Sequence, residues 1–402
     1  MNVPHANPDA PVLYLTHRVP FPLDKGDRIR NFSLLRQLAA RGKVWLGCLA
    51  DEPVPPETIR ELNRYCERLA IVPVGRFGRW VKAGLSLLRG RSLSEGLFAE
   101  PGLRRIIRKW TATNQFRTAV VSASSLAAYL RRDGLEHTPA VVDLVDVDSQ
   151  KWRDFAAASR APKRWLYSLE ARRVRKLEAS LPAWVRAVSV VSRAEADVYD
   201  SFTKAGAATV ATNGVDLDYF SPVTPEPPHA PVCAFVGAMD YLPNIDGAVW
   251  FARIVWPNIR QRFPTAEFRI VGRKPTPTVL ALASIPGVVV TGSVPDVRSF
   301  VASAAVVVAP LRLARGVQNK VLEALAMAKP VVAAPPALAA LGTVLGRDLL
   351  AATAATEFAD IVCELFADPV RCRELGAAGR RYVEAHHHWD RCLEPLLAKV
   401  FA

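Results

Sequence analysis

The stretch LARGVQNKVLEALAMAKPVV, residues 313–332, collects residues that could bind and activate a phosphate ester. Val317, Val321 and Leu325 recur at i, i+4 and i+8, the period of a helix starting just after Gly316. Helix N-termini carry partial positive charge and favour Asp or Glu in the first turn. Here Arg315 precedes the helix, Lys320 lies inside it, and no acid follows until Glu323. An anion on the open amides of residues 316–318 would resolve that conflict. Gly316 sets no side chain between such a ligand and the backbone. Lys320 and Glu323, three residues apart, share a helix face. They could form a local salt bridge, or Lys320 could meet a phosphate while Glu323 accepts hydrogen bonds from ribose hydroxyls. The co-occurrence of Gly316, Lys320 and Glu323 favours the second arrangement.

A second set of candidates lies near the N-terminus. DKGDRIRN (24–31) sets Gly26 and Arg28 at another helix start, where they could serve an anionic ligand. His17 follows the apolar run VLYLT (12–16), at a strand end where α/β proteins place their sites. Asp143, Asp146 and Asp148 cluster after a further strand; one of them, Asp146 in particular, could orient a substrate hydroxyl, although turns and caps use Asp equally. No metal is expected. DVD (146–148) has the right spacing but no metal-binding loop around it, and the adjacent histidines of HHHWD (386–390) point in three directions around a helix. Trp389 reads as the residue that anchors the tail by packing. The six cysteines form no CxxC and suit a reducing compartment.

Positioning such residues needs strand–loop–helix units, and the chain is patterned for them. Short apolar runs at 12–16, 45–50, 69–74, 118–123, 139–145 and 187–192 alternate with helical segments. The pattern predicts a parallel sheet covered by helices. SRAE (192–195) has the spacing of a capping box. SPVTPEPPHAP (221–231) holds five prolines and reads as a stiff connector. Strands then restart at 232–237, 267–272, 288–292, 304–310 and 329–335, with a helix over 246–263. The expected organisation is a first domain over 1–220, a linker over 221–231 and a second domain over 232–385. A terminal helix over 386–402 would pack back on the first domain. The fold class is α/β, with two Rossmann-like, doubly wound domains facing a cleft at the C-terminal ends of their strands.

Charge is uneven. Residues 1–215 carry 34 Lys and Arg against 21 Asp and Glu, whereas the rest carries 18 against 17. Residues 76–117 hold ten basic and two acidic side chains, and 160–176 hold seven and one. The N-terminal half should therefore meet something anionic. VKAGLSLL (81–88), flanked by Arg79, Arg89 and Arg91, has the composition of an interfacial amphipathic helix. No apolar run is long enough to span a membrane, and MNVPHANPDA has no signal pattern. The expectation is a cytoplasmic protein, peripheral at the inner face of the cell membrane. Nucleic acid is a poorer partner, since aromatic-rich RNA motifs are missing.

The ordered set of motifs resembles retaining glycosyltransferases of family 4, on the GT-B fold. Gly316–Lys320–Glu323 followed by ALAMAKPVV looks like their donor-site motif, and VTGSVPDVRSFVASAAVVVAPLR (290–312) like their base-binding loop and following strand. ATNGVDLDYFSP (211–222) is similar to their interdomain segment. THRVPFPLDKGDRIRN (16–31), DLVDVDSQKW (143–152) and FVGAMDYLPNID (235–246) look like the narrower branch associated with PEP-CTERM/exosortase exopolysaccharide loci. The resemblance implies a nucleotide-diphosphate-sugar donor, with Glu323 at the ribose, Val294 at the base through its backbone, and Gly316, Val317 and Lys320 at the diphosphate. It departs at Arg315, where the broad family has a second Glu, and at SASS (122–125), where that family often has a His. Arg315 could serve the diphosphate instead. The implied activity is retaining sugar transfer to a hydroxyl, with Arg28, His17, Lys320 and Glu323 as catalytic candidates, no cofactor, and a polyprenyl- or lipid-linked acceptor. A nucleotide-sugar epimerase of the same fold, a basic nucleic-acid-binding protein and a catalytically inactive binding protein are the alternatives.

Overall fold

A computed structural model describes residues 9–75, 78–203, 208–223 and 230–402. Residues 1–8, Arg76 and Phe77 at the head of the first basic stretch, and 224–229 within the proline-rich stretch lie outside the described residues. The chain forms two units. Met1–Thr212 with Leu393–Ala402 make the first, and Asn213–Cys392 the second.

The first unit is built on a seven-stranded sheet. Its strands are β1 (Val12–Thr16), β2 (Val44–Ala50), β3 (Arg68–Pro73), β4 (Thr118–Ser122), β5 (Ala140–Val145), β6 (Ala187–Val190) and β7 (Thr209–Val210). The order is β3-β2-β1-β4-β5-β6-β7, with every pairing parallel. β1, β2 and β4 are buried along their whole length, as strands covered on both faces must be. Crossovers run outward from β1 in both directions, and parallel strands joined this way carry their helices on both faces.

The second unit has β8 (Val232–Val236), β9 (Glu267–Val271), β10 (Val288–Gly292), β11 (Val306–Ala309), β12 (Val331–Ala333) and β13 (Leu350–Ala351), in the parallel order β10-β9-β8-β11-β12-β13. Two Rossmann-like, doubly wound domains are thus present. The two-residue strands β7 and β13 carry too little apolar pattern to be read from sequence. The helix expected over 246–263 begins at Leu242, because Pro243 suits a first helical turn, and it passes through a π-type turn at Phe251–Val255.

The units divide between Thr212 and Asn213 rather than at the proline-rich 221–231. The physical reason is a knot of buried polar contacts. The His387 imidazole meets the Asn213 carbonyl through Nδ1 at 2.8 Å and the Tyr382 hydroxyl through Nε2 at 3.2 Å. Because a carbonyl only accepts, Nδ1 donates, and the unprotonated Nε2 accepts the hydrogen bond of the tyrosine hydroxyl. The Val215 amide donates to the His387 carbonyl at 2.8 Å. A Cβ on Gly214 would stand 2.7 Å from the Trp389 amide nitrogen, so glycine is needed for this approach. His387 is buried and Trp389 only half-buried, so the histidine, not the tryptophan, is the principal anchor of the tail. The terminal helix Trp389–Phe401 then ends in the first unit, where Thr118 Oγ1 donates to the Val400 carbonyl at 2.7 Å and Arg186 reaches the Ala402 carbonyl at 2.8 Å.

In the first unit a fully buried ion pair ties the Gly26–Ala39 helix to β5. Arg30 donates to both Asp143 oxygens, at 2.8 and 2.9 Å, and Ser189 Oγ donates to Asp143 at 2.7 Å. Asn31 Oδ1 accepts from Tyr14 at 3.0 Å and from Ser122 at 2.7 Å. Two residues of DKGDRIRN and one of the three clustered aspartates are therefore core, not site. Ser192 caps its helix through the Glu195 amide, as expected, but the Glu195 carboxylate also accepts from the Val147 amide at 2.8 Å.

Removing one partner of a buried pair leaves an uncompensated charge. Asp143→Ala should cost about 3–5 kcal/mol in urea unfolding, and Arg30→Met/Asp143→Leu should recover much of that loss. Burial holds the His387 imidazole below its ordinary value of 6.5. The unfolded chain therefore binds the proton more readily, so His387's contribution is present above pH 6.5 and lost as pH falls below it. The thermal midpoint of the wild type should drop more steeply below that pH than that of His387→Gln.

Candidate functional site

Strand order reverses at β8, whose neighbours β9 and β11 are reached in opposite directions. A doubly wound sheet opens a crevice at such a point, outside the C-terminal ends of the strands. The loops after β8 and β11 both start there. The first runs from Gly237 into the Leu242–Trp250 helix, and the second from Pro310 into the Asn319–Ala326 helix.

The helix predicted to start just after Gly316 starts at Asn319, because Gly316 turns the chain with φ +61° and Gln318 remains extended. A residue with a Cβ is disfavoured at that φ, so glycine is required for conformation as well as for access. Gln318 Nε2 donates to the Arg315 carbonyl at 2.8 Å and closes the turn. Among the described residues, the amides of Gly316, Val317 and Gln318 enter no backbone hydrogen bond. The half-buried Val317 side chain packs against the core. Asn319 Oδ1 accepts from Asn213 Nδ2 at 2.9 Å, so the knot around His387 also holds the helix start.

Lys320 does not pair with Glu323. Its ammonium donates to Asn244 Oδ1 and lies 5.0 Å from the centroid of the Phe235 ring. Asn244 is fixed in turn by donating to the Ala238 carbonyl at 2.8 Å. Gly237 makes the meeting possible, since a Cβ there would come within 2.7 Å of Asn244 Nδ2 and 3.0 Å of Lys320 Nζ. Burial pushes the Lys320 ammonium down to about 8, against the opposing pull of Glu323. Burial likewise pushes the Glu323 carboxyl up to about 7, against Lys320. Both groups are thus held in environments that disfavour their charges, and a ligand bearing complementary groups would relieve them. Val294 lies half-buried in the loop after β10, at the same edge of the sheet.

In the first unit the reversal falls between β1 and β4, and His17, Gly26 and Arg28 follow β1. Gly26 opens its helix as expected. His17 Nε2 meets Asp27 Oδ2 at 3.2 Å, while its buried Nδ1 has no hydrogen-bond partner. Arg18 also binds Asp27, at 2.9 Å. Burial alone would raise the Asp27 carboxyl, but the His17 bond and the charges of His17 and Arg18 hold it well below the usual carboxylate range. Arg28 is buried and donates to Asp24 at 2.8 Å and to Glu52 at 3.4 Å. Its charge is compensated locally, so its service to a diphosphate would require these carboxylates to release it.

Asp146 follows Val145, a β-branched residue at φ +67°, and Ala123 after β4 has φ +77°. Strained backbone at two adjacent strand ends is characteristic of ligand-facing edges. Ser122 and Ser124 of SASS are engaged with Asn31 and with Asp148, at 2.7 and 3.0 Å.

The structure thus gathers Arg315, Gly316, Val317, Lys320 and Glu323 on one loop and helix, and His17, Gly26 and Arg28 on another. Sequence reasoning missed Asn244, Gly237, Asn319 and His387. Starting the helix at 246 leaves Asn244 outside it and hides the first of these, and only the glycine of FVGAM hints at a close approach.

Residues 230–368 match the family described as "Glycosyl transferases group 1". No curated protein matches the chain in sequence. Among solved structures, sucrose-phosphate synthase from Thermosynechococcus elongatus is 18% identical, with 98% of this chain and 99% of that chain covered and a TM-score of 0.73. Anabaena HepE in complex with UDP-glucose is 14% identical, with 97% and 99% covered and a TM-score of 0.68. The UDP-forming α,α-trehalose-phosphate synthase from Burkholderia vietnamiensis is 12% identical, with 97% and 99% covered and a TM-score of 0.65. The whole chain therefore has the GT-B fold, and the segment that carries Lys320 and Glu323 matches the group 1 glycosyl transferases.

Proposed function

We propose that this protein is a glycosyltransferase that moves a sugar from a nucleotide-diphosphate-sugar to a hydroxyl acceptor with retention at the anomeric carbon, in exopolysaccharide or lipid-linked glycan synthesis. One observation carries the reading. At the strand-order reversal, the amides of residues 316–318, the Lys320 ammonium and the Glu323 carboxylate share a single loop and helix start. The resemblance of the motif order to the PEP-CTERM/exosortase-associated branch supports the polysaccharide context.

Each residue has a role in that reading. Glu323 accepts hydrogen bonds from the ribose hydroxyls. The backbone near Val294 meets the base. Amides 316–318, Lys320 and Arg315 hold the diphosphate. As the glycosidic C–O bond lengthens, negative charge grows on the leaving diphosphate, and fixed amides and cations aimed at it stabilise the transition state more than the ground state. These groups supply the positive charge, so no divalent ion is needed, and activity should persist in EDTA. Arg28, Gly26 and Asp146 serve the acceptor side, Arg28 after exchanging its carboxylate partners for phosphate.

A specific observation favours a second reading of the stereochemistry. The His17–Asp27 pair has the form of a base oriented by a carboxylate. Such a base could take the acceptor hydroxyl proton in a direct displacement that inverts the anomeric centre. Proton NMR of the first product formed separates the two. Retention with His17→Ala reduced only modestly supports the first reading, whereas inversion with a loss of about 10²-fold or more supports the second.

Donor binding should be confined to a pH window. Glu323 must be ionised to accept from ribose, so affinity for UDP should fall as pH drops below about 7. Lys320 must be protonated to hold phosphate, so affinity should fall as pH rises above about 8. Each limb approaches about tenfold per pH unit. Calorimetric titration should find the acid limb missing in Glu323→Gln and the alkaline limb missing in Lys320→Met. A Glu323→Ala variant that binds UDP with full affinity would overturn the site assignment.

A further inference from the structure

The Gly78–Leu88 helix of the first unit is inside out. Helices at protein surfaces bury their apolar stripe. This one buries Ala83 and Ser86, 1% and 8% exposed, and turns Trp80, Val81, Leu85 and Leu88 to solvent at 60, 64, 44 and 85% exposure. These four fall at i, i+1, i+5 and i+8, along one side of the helix. The inner side is held by specific contacts. Ser86 Oγ donates to the Ser92 carbonyl at 2.8 Å, and Lys82 pairs with Glu100. A Cβ on Gly96 would stand 2.5 Å from the Lys82 carbonyl oxygen, so the following short helix packs directly on this backbone. The outward apolar face is therefore built in and is not a matter of loose packing.

We propose that this face docks the protein on an anionic lipid bilayer. Charge selects the occupant. Arg79 stands before the apolar residues and Arg89 and Arg91 after them, none in an ion pair among the described residues. The nearby acids are engaged inward. Glu95 accepts from the Ser92 amide at 3.0 Å in a capping box, Glu100 holds Lys82, and Glu170 accepts from the Leu93 and Ser94 amides at 2.6 and 2.9 Å. A lone helix face with cations at both ends and a tryptophan near one end lies in a headgroup layer, where the side chains enter the acyl boundary and the guanidinium groups meet phosphates. No described helix is long and apolar enough to cross the membrane, so the contact is peripheral.

The face has a defined relation to the candidate site. Tyr129, in the turn after β4, donates to the Phe98 carbonyl at 2.8 Å, and the Phe98 ring meets the His17 imidazole edge-on at 5.7 Å. The segment that ends the helix pair thus reaches the C-terminal edge of the sheet beside His17. Docking would present that edge to a membrane-borne acceptor. This last step rests on glycosyl transfer as the function, whereas docking itself does not.

Flotation with phosphatidylcholine vesicles, with and without phosphatidylglycerol, tests the proposal on the full chain. The wild type should float with the anionic vesicles at low salt and largely fail to with neutral ones. Trp80→Ser/Leu88→Ser should weaken flotation by at least about tenfold while UDP binding and the thermal midpoint stay unchanged. Arg89→Ala/Arg91→Ala should weaken it with a smaller salt dependence. Equal flotation of the serine variant, or none by the wild type, overturns the proposal. So does a dimer in analytical ultracentrifugation that the serine variant dissolves without any lipid binding, since the face would then cover a second copy. UDP binding is read separately, so loss of the donor assignment and loss of docking are distinguishable.

Discussion

The arrangement of the second unit depends on one constraint, the pairing of β8 with parallel neighbours reached in opposite directions. Parallel strands need crossovers, and right-handed crossovers leaving one strand in opposite directions part above its C-terminal end. The two loops that start at that end can then face each other without a helix between them. Gly237 and Gly316 act at these two loops, the first by making room for Asn244 and Lys320, the second by turning the chain so that three amides stay open. The knot formed by Asn213, His387 and Tyr382 holds the helix start from behind through Asn319.

The two units treat their buried and half-buried charges in opposite ways. Arg30 and Asp143 are paired, bidentate and further bonded to Ser189, so their burial is compensated within the fold. Lys320 and Glu323 lie on one helix face yet are held apart, the lysine by a neutral amide and an aromatic ring. Such a pair is a poor stabilising device, because burial disfavours both charges and neither group is neutralised by the other. His17 and Asp27 fall between these cases. Asp27 is stabilised by His17 and Arg18, and the far nitrogen of the imidazole is without a partner.

The Gly78–Leu88 helix shows a third departure from the usual rule, an apolar stripe turned outward. Its inner face is small and polar, matched to a neighbouring backbone that only glycine at 96 allows so close. The exposed face is a consequence of that packing. Three cations of the basic N-terminal half, Arg79, Arg89 and Arg91, flank these apolar side chains.

Much of this was legible in the chain itself. Continuous apolar runs marked the principal buried strands, because strands covered on both faces need no polar side. The pairing of Gly316 with cations at a helix start marked the turn whose amides stay open, because backbone charge and side-chain charge conflict there whatever surrounds them. Local chemistry of that kind is written in adjacent residues. What only the tertiary structure decided depends on residues far apart in sequence. Asp143 read as one of three aspartates of a turn, cap or site until it closed into an ion pair with Arg30, over a hundred residues away. Lys320 was adjacent to Glu323 on its helix but bonded Asn244, seventy-six positions away. The unit boundary lay at Asn213 and not at the prolines, because His387 reached back to its carbonyl. Periodicity reports which face of an element is apolar; it does not report which partner a polar group finds, or whether an apolar face is turned to the core or to solvent.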